Sequence, residues 1–370
     1  MVNGSPWLCD QARENGSYPA RGRLFGAFLC GAWATACEAL EVPPDQAAWT
    51  TRLLGAALPA WSADVIGSTP DKPSYVAGDG FPAEMSVNWS SGQPELRVLF
   101  DCLDDVQHGH SLISAAAQGD VREGIHRFFT PEAGRPSSAP LWHSVAWRPP
   151  SRLVHKTYFG LYEWPEDERY AAVDEAMARL GMAAAWENAR ARVENADGKR
   201  EIEFFAVDLA GEADARVKIY YRNHGADLAE VNRIASTALR HDTGSALAAY
   251  RTLAGSRADA GDAALSCLAF RSGVDGADEC TTYLRLSDLA ADDQEAVDRT
   301  AALLAGEGVD PARFRALAAS LAPGALEDSR GLLELVSYRA SGRRGDITTY
   351  FRLPVFETSA ARRLSPVDLA

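Results

Sequence analysis

The sequence lacks the features that mark several large classes of protein. Its six cysteines are scattered, with no CxxC pair and no Cys/His ligand spacing, so neither a zinc site nor a disulfide framework is predicted. The apolar run 24–37 is too short to cross a bilayer, and the charged residues before it do not fit a secretory signal. We therefore expect a protein of the reducing cytoplasm.

Basic residues are in the minority. The chain has 51 acidic side chains against 37 basic ones, and its formal net charge is −14. Nucleic acids and anionic membranes both select basic surfaces, so neither is expected as a partner. A cluster of basic residues within such a chain needs a local reason.

The common phosphate-binding motifs are missing as well. There is no P-loop, and no GxGxxG follows a strand pattern. Paired aspartates occur in LDDVQH and ADDQEA, but neither has the third aspartate of the DDxxD motif, which holds diphosphate through magnesium. We interpret both pairs as solvated loop or helix-start residues, and no metal ligands are predicted.

What the sequence does contain is a regular alternation of strand pairs and helical stretches. The first seventy residues carry apolar residues at helical spacing, and five strand pairs joined by turns follow, with helical stretches between them. We predict one domain over 1–370, with N-terminal helices in 1–70, repeats in 71–355 and a C-terminal tail in 356–370. The predicted strand pairs lie at 83–101, 141–161, 200–223, 263–286 and 331–353.

The second strand of each pair repeats one short pattern. The segments RVLF, KTYF, KIYY, TTYL and TTYF begin at Arg97, Lys156, Lys218, Thr281 and Thr348, about 59 to 67 residues apart. A period of that length corresponds to one hairpin plus one helix pair. The chain is therefore predicted to consist of five structural repeats.

Side chains alternate across a strand, so each repeat has a polar face and an apolar face. The polar face carries Arg97, Lys156, Tyr158, Arg216, Lys218, Tyr220, Thr281, Tyr283, Thr348 and Tyr350. The apolar face carries Val98, Phe100, Phe159, Val217, Ile219, Tyr221, Leu284, Ile347 and Phe351.

Two arrangements fit these faces. In open sheets the polar face would meet water, whereas ten antiparallel strands could also close into a barrel with helices outside and a polar lumen inside. The aligned positions are basic, hydroxyl or phenolic and never acidic, although the chain is acidic overall. This bias favours an α+β fold with a closed ten-stranded barrel and a ligand in its lumen.

Basic residues that converge from several strands indicate a ligand with several negative charges, most simply a diphosphate. Without a metal, Arg97, Lys156, Arg216 and Lys218 would supply the charge that magnesium supplies elsewhere. The neighbouring tyrosines could donate hydrogen bonds to phosphate and shield a carbocation with their ring faces. That combination suits the ionisation of an allylic diphosphate.

Several segments within about 59–354 match those of a known family, namely DGFPAEMSVNW, LRVLFD, KTYF, RVKIYY and the two TTY strands. Through them the sequence resembles the soluble aromatic prenyltransferases of the dimethylallyltryptophan synthase type, in particular bacterial ones. This resemblance implies the ABBA or PT barrel, built from five α-β-β-α repeats. The implied reaction moves a dimethylallyl group from dimethylallyl diphosphate to the indole of L-tryptophan or a tryptophan-derived compound, in a monomer or homodimer without metal or other cofactor.

The resemblance also assigns roles to individual residues. Glu84 would accept a hydrogen bond from the indole N–H, and His143, near the position of a lysine in some relatives, would remove the ring proton. Thr281 stands where many relatives have a glutamine that reaches the phosphate. The implied diphosphate ligands are Arg97, Lys156, Arg216, Lys218, Tyr220, Tyr283 and Tyr350. The implied cation shield is Tyr158, Tyr220, Tyr283 and Tyr350.

Several alternatives stay open from sequence. The barrel could act on a phenol or use geranyl diphosphate, or it could bind an anionic, partly apolar ligand without catalysis. His143 could equally be a structural histidine between Trp142 and Trp147. Those two tryptophans and Trp89 are expected to pack the barrel, although any of them could line the acceptor pocket.

Overall fold

Polar and apolar alternation along the predicted strands sets the architecture of the computed structural model. The structure describes residues 20–89, 93–117, 125, 128–129, 140–148, 152–162, 164–194, 200–209, 215–342, 345–353 and 355–356. The predicted tail 356–370 therefore lies outside the described residues except for Phe356, and the N-terminal segment is described from residue 20 onward.

Ten strands form a barrel, and two short strands pair separately. The barrel strands are β1 (Ala83–Asn88), β2 (Glu95–Asp101), β3 (Leu141–Arg148), β4 (Arg152–Gly160), β5 (Arg200–Asp208), β6 (Val217–Asn223), β9 (Ala264–Phe270), β10 (Glu279–Arg285), β11 (Leu333–Arg339) and β12 (Asp346–Phe351). The separate pair is β7 (Ala226–Asp227) and β8 (Asp259–Gly261), which the sequence patterns do not predict.

All barrel strands pair in antiparallel fashion, and the circle closes between the first and the last. Each predicted hairpin pairs internally, adjacent hairpins pair with each other, and β1 pairs with β12. Ser86 in β1 thus lies opposite Arg97 of β2 on one side and Tyr350 of β12 on the other. Every barrel strand has two partners, which removes exposed sheet edges. The predicted α+β fold with a closed ten-stranded barrel is confirmed.

The apolar face of the strands points outward and packs against helices, as predicted. Its residues belong to two large hydrophobic clusters that also contain helix residues. The rings of Phe351 and Phe314 lie 6.4 Å apart, and those of Tyr221 and Trp186 lie 6.3 Å apart, each pair joining a strand to a helix. The hydrophobic core therefore lies between barrel and helices, and the polar face is left to the lumen.

The helices of the described residues surround the barrel. They are α1 (Phe25–Ala39), α2 (Pro44–Ala57), α3 (Val106–Ala117), α4 (Glu166–Arg179), α5 (Ala183–Val193), α6 (Leu228–Ala235), α7 (Thr243–Ala254), α8 (Leu286–Leu289), α9 (Asp293–Gly306) and α10 (Ala312–Leu321). Short 3-10 turns occur at Ala60–Ala63 and Leu326–Asp328.

The paired aspartates follow the prediction with one exception. Asp104 is exposed, and Asp292 caps α9 with its side chain. Asp293, in contrast, is buried and accepts hydrogen bonds from the backbone N–H groups of Gly331 (2.9 Å) and Leu332 (3.1 Å). Asp293 does begin α9, as expected of a helix-start residue, but it is not solvated, because its carboxylate binds the backbone of the chain before β11.

Candidate active site

Successive lumen-facing residues of the strands form three layers along the barrel axis. Strand β6 shows the order most clearly, since Lys218, Tyr220 and Arg222 follow one another on its lumen face. Strand β4 repeats the first two steps with Lys156 and Tyr158. We call them, in this order, the basic layer, the aromatic layer and the carboxylate layer.

The basic layer is a network of ion pairs in which basic side chains outnumber acidic ones. It contains Arg97, Arg148, Lys156, Arg216, Lys218, Arg240, Arg271 and Arg339 with Glu95, Asp208, Asp278, Glu279 and Asp346. The structure thus brings together all four predicted diphosphate-binding cations. The excess of positive charge at one end of the lumen suits a polyanionic ligand.

Asp208 pairs with Lys156 of β4, with Lys218 of β6 and with Arg216, which directly precedes β6. Its carboxylate lies 2.8 Å from Arg216 Nε, 3.1 Å from Lys218 Nζ and 3.9 Å from Lys156 Nζ. Burial raises the pKa of Asp208, but Lys218, Lys156 and Arg216 outweigh it, so the pKa falls well below its ordinary value. Asp208 is therefore ionised, and its charge offsets part of the repulsion among these three cations.

Two further carboxylates organise the arginines. Glu95 pairs with Arg97 at 2.7 Å and with Arg148 at 2.9 Å. Glu279 pairs with Arg339 at 2.7 Å and with Arg216 at 3.3 Å. Glu279 is also within ion-pair distance of Arg240 and Arg271.

The sequence interpretation missed the acidic members of this layer and the arginines outside the second strands. A usable signal was present, because a residue two positions before an aligned position shares its face. Glu95, Glu279 and Asp346 stand two residues before Arg97, Thr281 and Thr348. Asp208 and Arg339 belong to first strands of hairpins, so finding them also required the pairing register.

The aromatic layer consists of Tyr158, Phe204, Tyr220, Tyr283 and Tyr350. Ring centroids lie 6.1 Å apart for Tyr158 and Tyr220, 5.9 Å for Tyr220 and Tyr283, and 5.6 Å for Tyr283 and Tyr350. Phe204, which sequence analysis missed, lies 4.1 Å from Tyr220. The four predicted shield tyrosines therefore form a continuous arc beside the basic layer, with π-faces able to stabilise a cation.

Burial keeps these phenols protonated. It is the largest cause of the raised pKa values of Tyr158, Tyr220, Tyr283 and Tyr350. Each hydroxyl can therefore donate a hydrogen bond to an anion in the neighbouring layer.

The carboxylate layer begins with Glu84, at the far side of the aromatic layer. Glu84 is only 8% exposed, and no described side chain donates a hydrogen bond to its carboxylate. Burial and the nearby Glu334 raise its pKa well above the ordinary value, whereas Arg285 lowers it. A buried acceptor without a donor is suited to an N–H group from a ligand.

Two ion pairs complete the carboxylate layer. Arg285 pairs with Glu334 at 3.2 Å, and Arg222 pairs with Glu203 at 2.6 Å. Tyr162 donates a hydrogen bond to Glu203 at 3.3 Å. This end of the lumen is therefore also charged, but its carboxylates (Glu84, Glu203 and Glu334) outnumber its arginines, whereas basic side chains are in excess in the basic layer.

One of the three tryptophans left open by the sequence faces the lumen. Trp142 lies 5.5 Å from Phe204, and its indole N–H donates to Asp101 at 3.0 Å. Trp89 and Trp147 belong to the helix-facing hydrophobic cluster, as expected for barrel packing. Trp142 is thus the tryptophan placed to line a ligand pocket.

The structure corrects the role predicted for His143. Its ring lies 5.8 Å from Phe100 on the helix-facing side, and its Nε2 shares a hydrogen bond of 3.1 Å with His155 Nδ1. Burial, with smaller effects of His155 and His108, lowers the pKa of His143 to about 3. The prediction that His143 removes the ring proton is therefore wrong, because Ser144 and not His143 faces the lumen opposite Lys156.

Among the residues that the structure describes, His, Cys, Asp and Glu form no group of three or more arranged to hold a metal ion. Every helix in the described ranges is too short or too polar to cross a bilayer.

No protein-family model matches the sequence, but solved structures do. The 6-dimethylallyltryptophan synthase of Micromonospora olivasterospora, in complex with DMASPP and Trp, matches with a TM-score of 0.80 and 25% identity, covering 90% of this chain and 99% of that one. The 5-dimethylallyl tryptophan synthase of Streptomyces coelicolor, also with DMASPP and Trp, matches with a TM-score of 0.79 and 22% identity, covering 91% and 97%.

A third similar structure is that of the prenyltransferase PriB in its ternary complex with L-tryptophan and dimethylallyl thiolodiphosphate. It matches with a TM-score of 0.76 and 24% identity, covering 90% of this chain and 97% of PriB. The matches extend over nearly the whole of both chains, so the barrel and its surrounding helices are shared as a unit. The chain therefore has the barrel of the ABBA-type indole prenyltransferases, as its sequence resemblance predicts.

Proposed function

We propose that the chain transfers a dimethylallyl group from dimethylallyl diphosphate to the indole ring of L-tryptophan or a tryptophan-derived compound. The order of the three layers along one lumen carries this proposal. The basic layer would hold the diphosphate, the aromatic layer would enclose the allyl cation, and Glu84 would orient an indole on the other side. The matched synthases and PriB are solved with tryptophan and a dimethylallyl donor analogue, which supports the same pair of substrates.

In the proposed donor site, Arg97, Lys156, Arg216 and Lys218 bind the diphosphate, with hydroxyl contacts from Tyr220, Tyr283 and Tyr350. Negative charge grows on the diphosphate as its bond to the allyl carbon breaks, so fixed cations stabilise the transition state more than the ground state. We propose that these cations replace a metal ion.

The proposed cation is protected by the faces of Tyr158, Tyr220, Tyr283 and Tyr350. They exclude water from the allyl carbons and stabilise the positive charge through their π-electrons. The indole then attacks, and Glu84 accepts the hydrogen bond of its N–H, which makes the ring more electron-rich. With His143 outside the lumen, we assign the ring proton to water.

A product assay tests this function directly. The protein is incubated with dimethylallyl diphosphate and L-tryptophan, and in parallel with geranyl diphosphate or with a phenolic acceptor. We expect a tryptophan carrying one dimethylallyl group, identified by mass spectrometry and NMR. Product formed only with a phenol, or only with geranyl diphosphate, would show that the proposed substrates are wrong. Binding of the donor without product from any indole would indicate a non-catalytic binding protein.

We also propose one prenyltransferase-barrel domain over 1–370, acting in the cytoplasm as a monomer or homodimer. The indole N–H of Trp61 donates to the backbone carbonyl of Asp101 at 2.8 Å, which ties the N-terminal helices to the barrel. Among the described residues, Cys37, Cys102, Cys267 and Cys280 are buried free thiols, which suits a reducing compartment.

A further inference from the structure

Asp208 occupies the centre of the basic layer, although no role was predicted for it. It is 3% exposed and is the last residue of β5, directly opposite Lys156 of β4 in the strand register. Its two oxygens are shared among Lys156, Lys218 and Arg216. One carboxylate thus contacts cations from both neighbouring strands.

The two lysines need such a partner. Lys156 and Lys218 are each 8% exposed. Burial lowers the pKa of both ammonium groups, and the neighbouring cations lower it further. Lysine, unlike arginine, loses its proton readily when it is buried among other cations. A neutral lysine would contribute little to binding of a diphosphate.

We propose that Asp208 is a positioning residue that keeps Lys156 and Lys218 protonated and directed into the lumen, ready for a diphosphate. The inference rests on the proposed function, because it takes the diphosphate of the prenyl donor as the ligand. Asp208 itself need not touch that ligand. Its effect passes through the two ammonium groups that it holds.

The surroundings of both lysines are consistent with this role. The charged groups that influence Lys156 are Asp208 of β5, Lys218 of β6, Arg216 before β6, and Arg97 and Glu95 of β2. On the other side, the residue of β3 that lies opposite Lys156 is Ser144, which is uncharged.

Lys218 is influenced by Arg216, Asp208 and the thiol of Cys267 in β9. Asp208 is therefore the carboxylate that both lysines share.

Glu279 provides a matched control within the same layer. Like Asp208 it is buried, 5% exposed, and pairs with Arg216. Its other partners are the arginines Arg339, Arg240 and Arg271. Arginine keeps its proton throughout the neutral and mildly alkaline range, so loss of the Glu279 charge cannot deprotonate its partners.

The test measures binding of dimethylallyl S-thiodiphosphate by titration calorimetry from about pH 6 to about pH 9. The ratio of the variant Kd to the wild-type Kd cancels the titration of the ligand. For Asp208→Asn we expect this ratio to rise with pH by about tenfold or more, because the two lysines lose their protons at a lower pH in the variant than in the wild type. For Glu279→Gln we expect a ratio that is flat within about twofold.

Two more variants make the result specific. Lys156→Arg in the Asp208→Asn background should reduce the rise of the ratio with pH, because arginine stays charged. Asp208→Glu keeps the charge and should give a flat ratio. A flat ratio for Asp208→Asn would overturn the proposal. A rise of about tenfold or more for Asp208→Glu would also overturn it, and this outcome stays decisive if the Asn variant does not fold.

Failure of this inference can be distinguished from failure of the proposed function. Wild-type protein that forms prenylated tryptophan, together with a flat ratio for Asp208→Asn, would leave the function standing and remove the role of Asp208. Wild-type protein that binds the thiodiphosphate with the expected ratios but forms no prenylated indole would support the role of Asp208 and reject the transferase.

Discussion

Glu84 shows how burial can prepare a single side chain for a ligand. Its carboxylate is enclosed by the barrel, faces the lumen next to the aromatic layer and accepts no hydrogen bond from a described side chain. Burial and Glu334 both favour its protonated form, yet only the carboxylate form is a strong acceptor for an indole N–H. The protonation state of Glu84 should therefore control how efficiently tryptophan reacts as the second substrate.

We expect Glu84→Gln to lower kcat/KM for L-tryptophan by about 10- to 100-fold, because a hydrogen bond to a charged group contributes about 1.5–3 kcal/mol. In the wild type, kcat/KM should fall as the pH is lowered through the raised pKa of Glu84, because the carboxylate is then protonated. This fall should occur at a pH above the ordinary range of carboxyl groups. The measurement is kcat/KM against pH at saturating donor.

Two observations, one at Glu84 and one at Glu334, would contradict this prediction. One is an unchanged acidic limb in Glu84→Gln, which would show that another group titrates. The other concerns the control Glu334→Gln, which removes a like charge and should move the limb to lower pH. A limb that does not move in that variant would mean that Glu334 does not act on Glu84.

His143 lies outside the lumen, contrary to the expectation from sequence, and this position gives a clear prediction. His143→Gln should leave kcat and its pH dependence within about threefold of the wild type, because the ring lies outside the lumen. The variant can still hydrogen-bond to His155, although some loss of thermal stability is expected. A fall in kcat of about 100-fold or more, with the fold intact by circular dichroism, would restore the catalytic role.

Two neighbouring tyrosines of strand β6 lie on opposite faces of the barrel wall. Tyr220 faces the lumen within the aromatic layer, and Tyr221 faces the helices beside Trp186. Two tyrosines that are adjacent in the sequence therefore have different surroundings, because successive side chains of a strand point to opposite faces.

We expect Tyr220→Leu to increase the fraction of donor that is hydrolysed to an alcohol, by about threefold or more relative to prenyl transfer, because a shield of the cation is lost. The measurement is the ratio of dimethylallyl alcohol to prenylated tryptophan in one reaction. Tyr221→Phe is the matched control and should leave that ratio unchanged. Equal ratios in both variants and the wild type would show that Tyr220 does not shield the cation.

The alternation of side chains within each strand could be predicted from the sequence, but the register between strands could not. Alternation assigned Lys156, Lys218 and the lumen tyrosines to one face, because a period of two is a local property. His143 was misplaced because a shift of one residue in register moves a side chain to the other face. The sequence does not show that Lys156 pairs with Ser144, which depends on the connection between β3 and β4.

Irregularities in the strands limited the prediction further. A register shift between Ile202 and Phe204 in β5 accompanies the placement of Phe204 in the lumen and of Glu203 beside Arg222. Bulges of this kind re-aim side chains and have no signature in a simple alternation pattern. The repeat revealed the five hairpins, but not where each first strand places its charged residues.

The molecule as a whole combines an acidic chain with a basic lumen. The formal net charge is −14, yet basic side chains exceed acidic ones in the basic layer. Closure of the barrel makes this separation possible, because residues far apart in the sequence line one enclosed space. Within such a space, charges are less screened by water and salt than at the outer surface.

We propose that these enclosed cations take the place of a metal ion in activating the donor. The proposal is tested by the rate of dimethylallyl transfer to L-tryptophan by protein stripped of metal and assayed in excess EDTA, compared with the rate in added magnesium. We predict rates that agree within about twofold, because the basic layer already supplies the positive charge. Loss of turnover in EDTA that magnesium restores would contradict the claim.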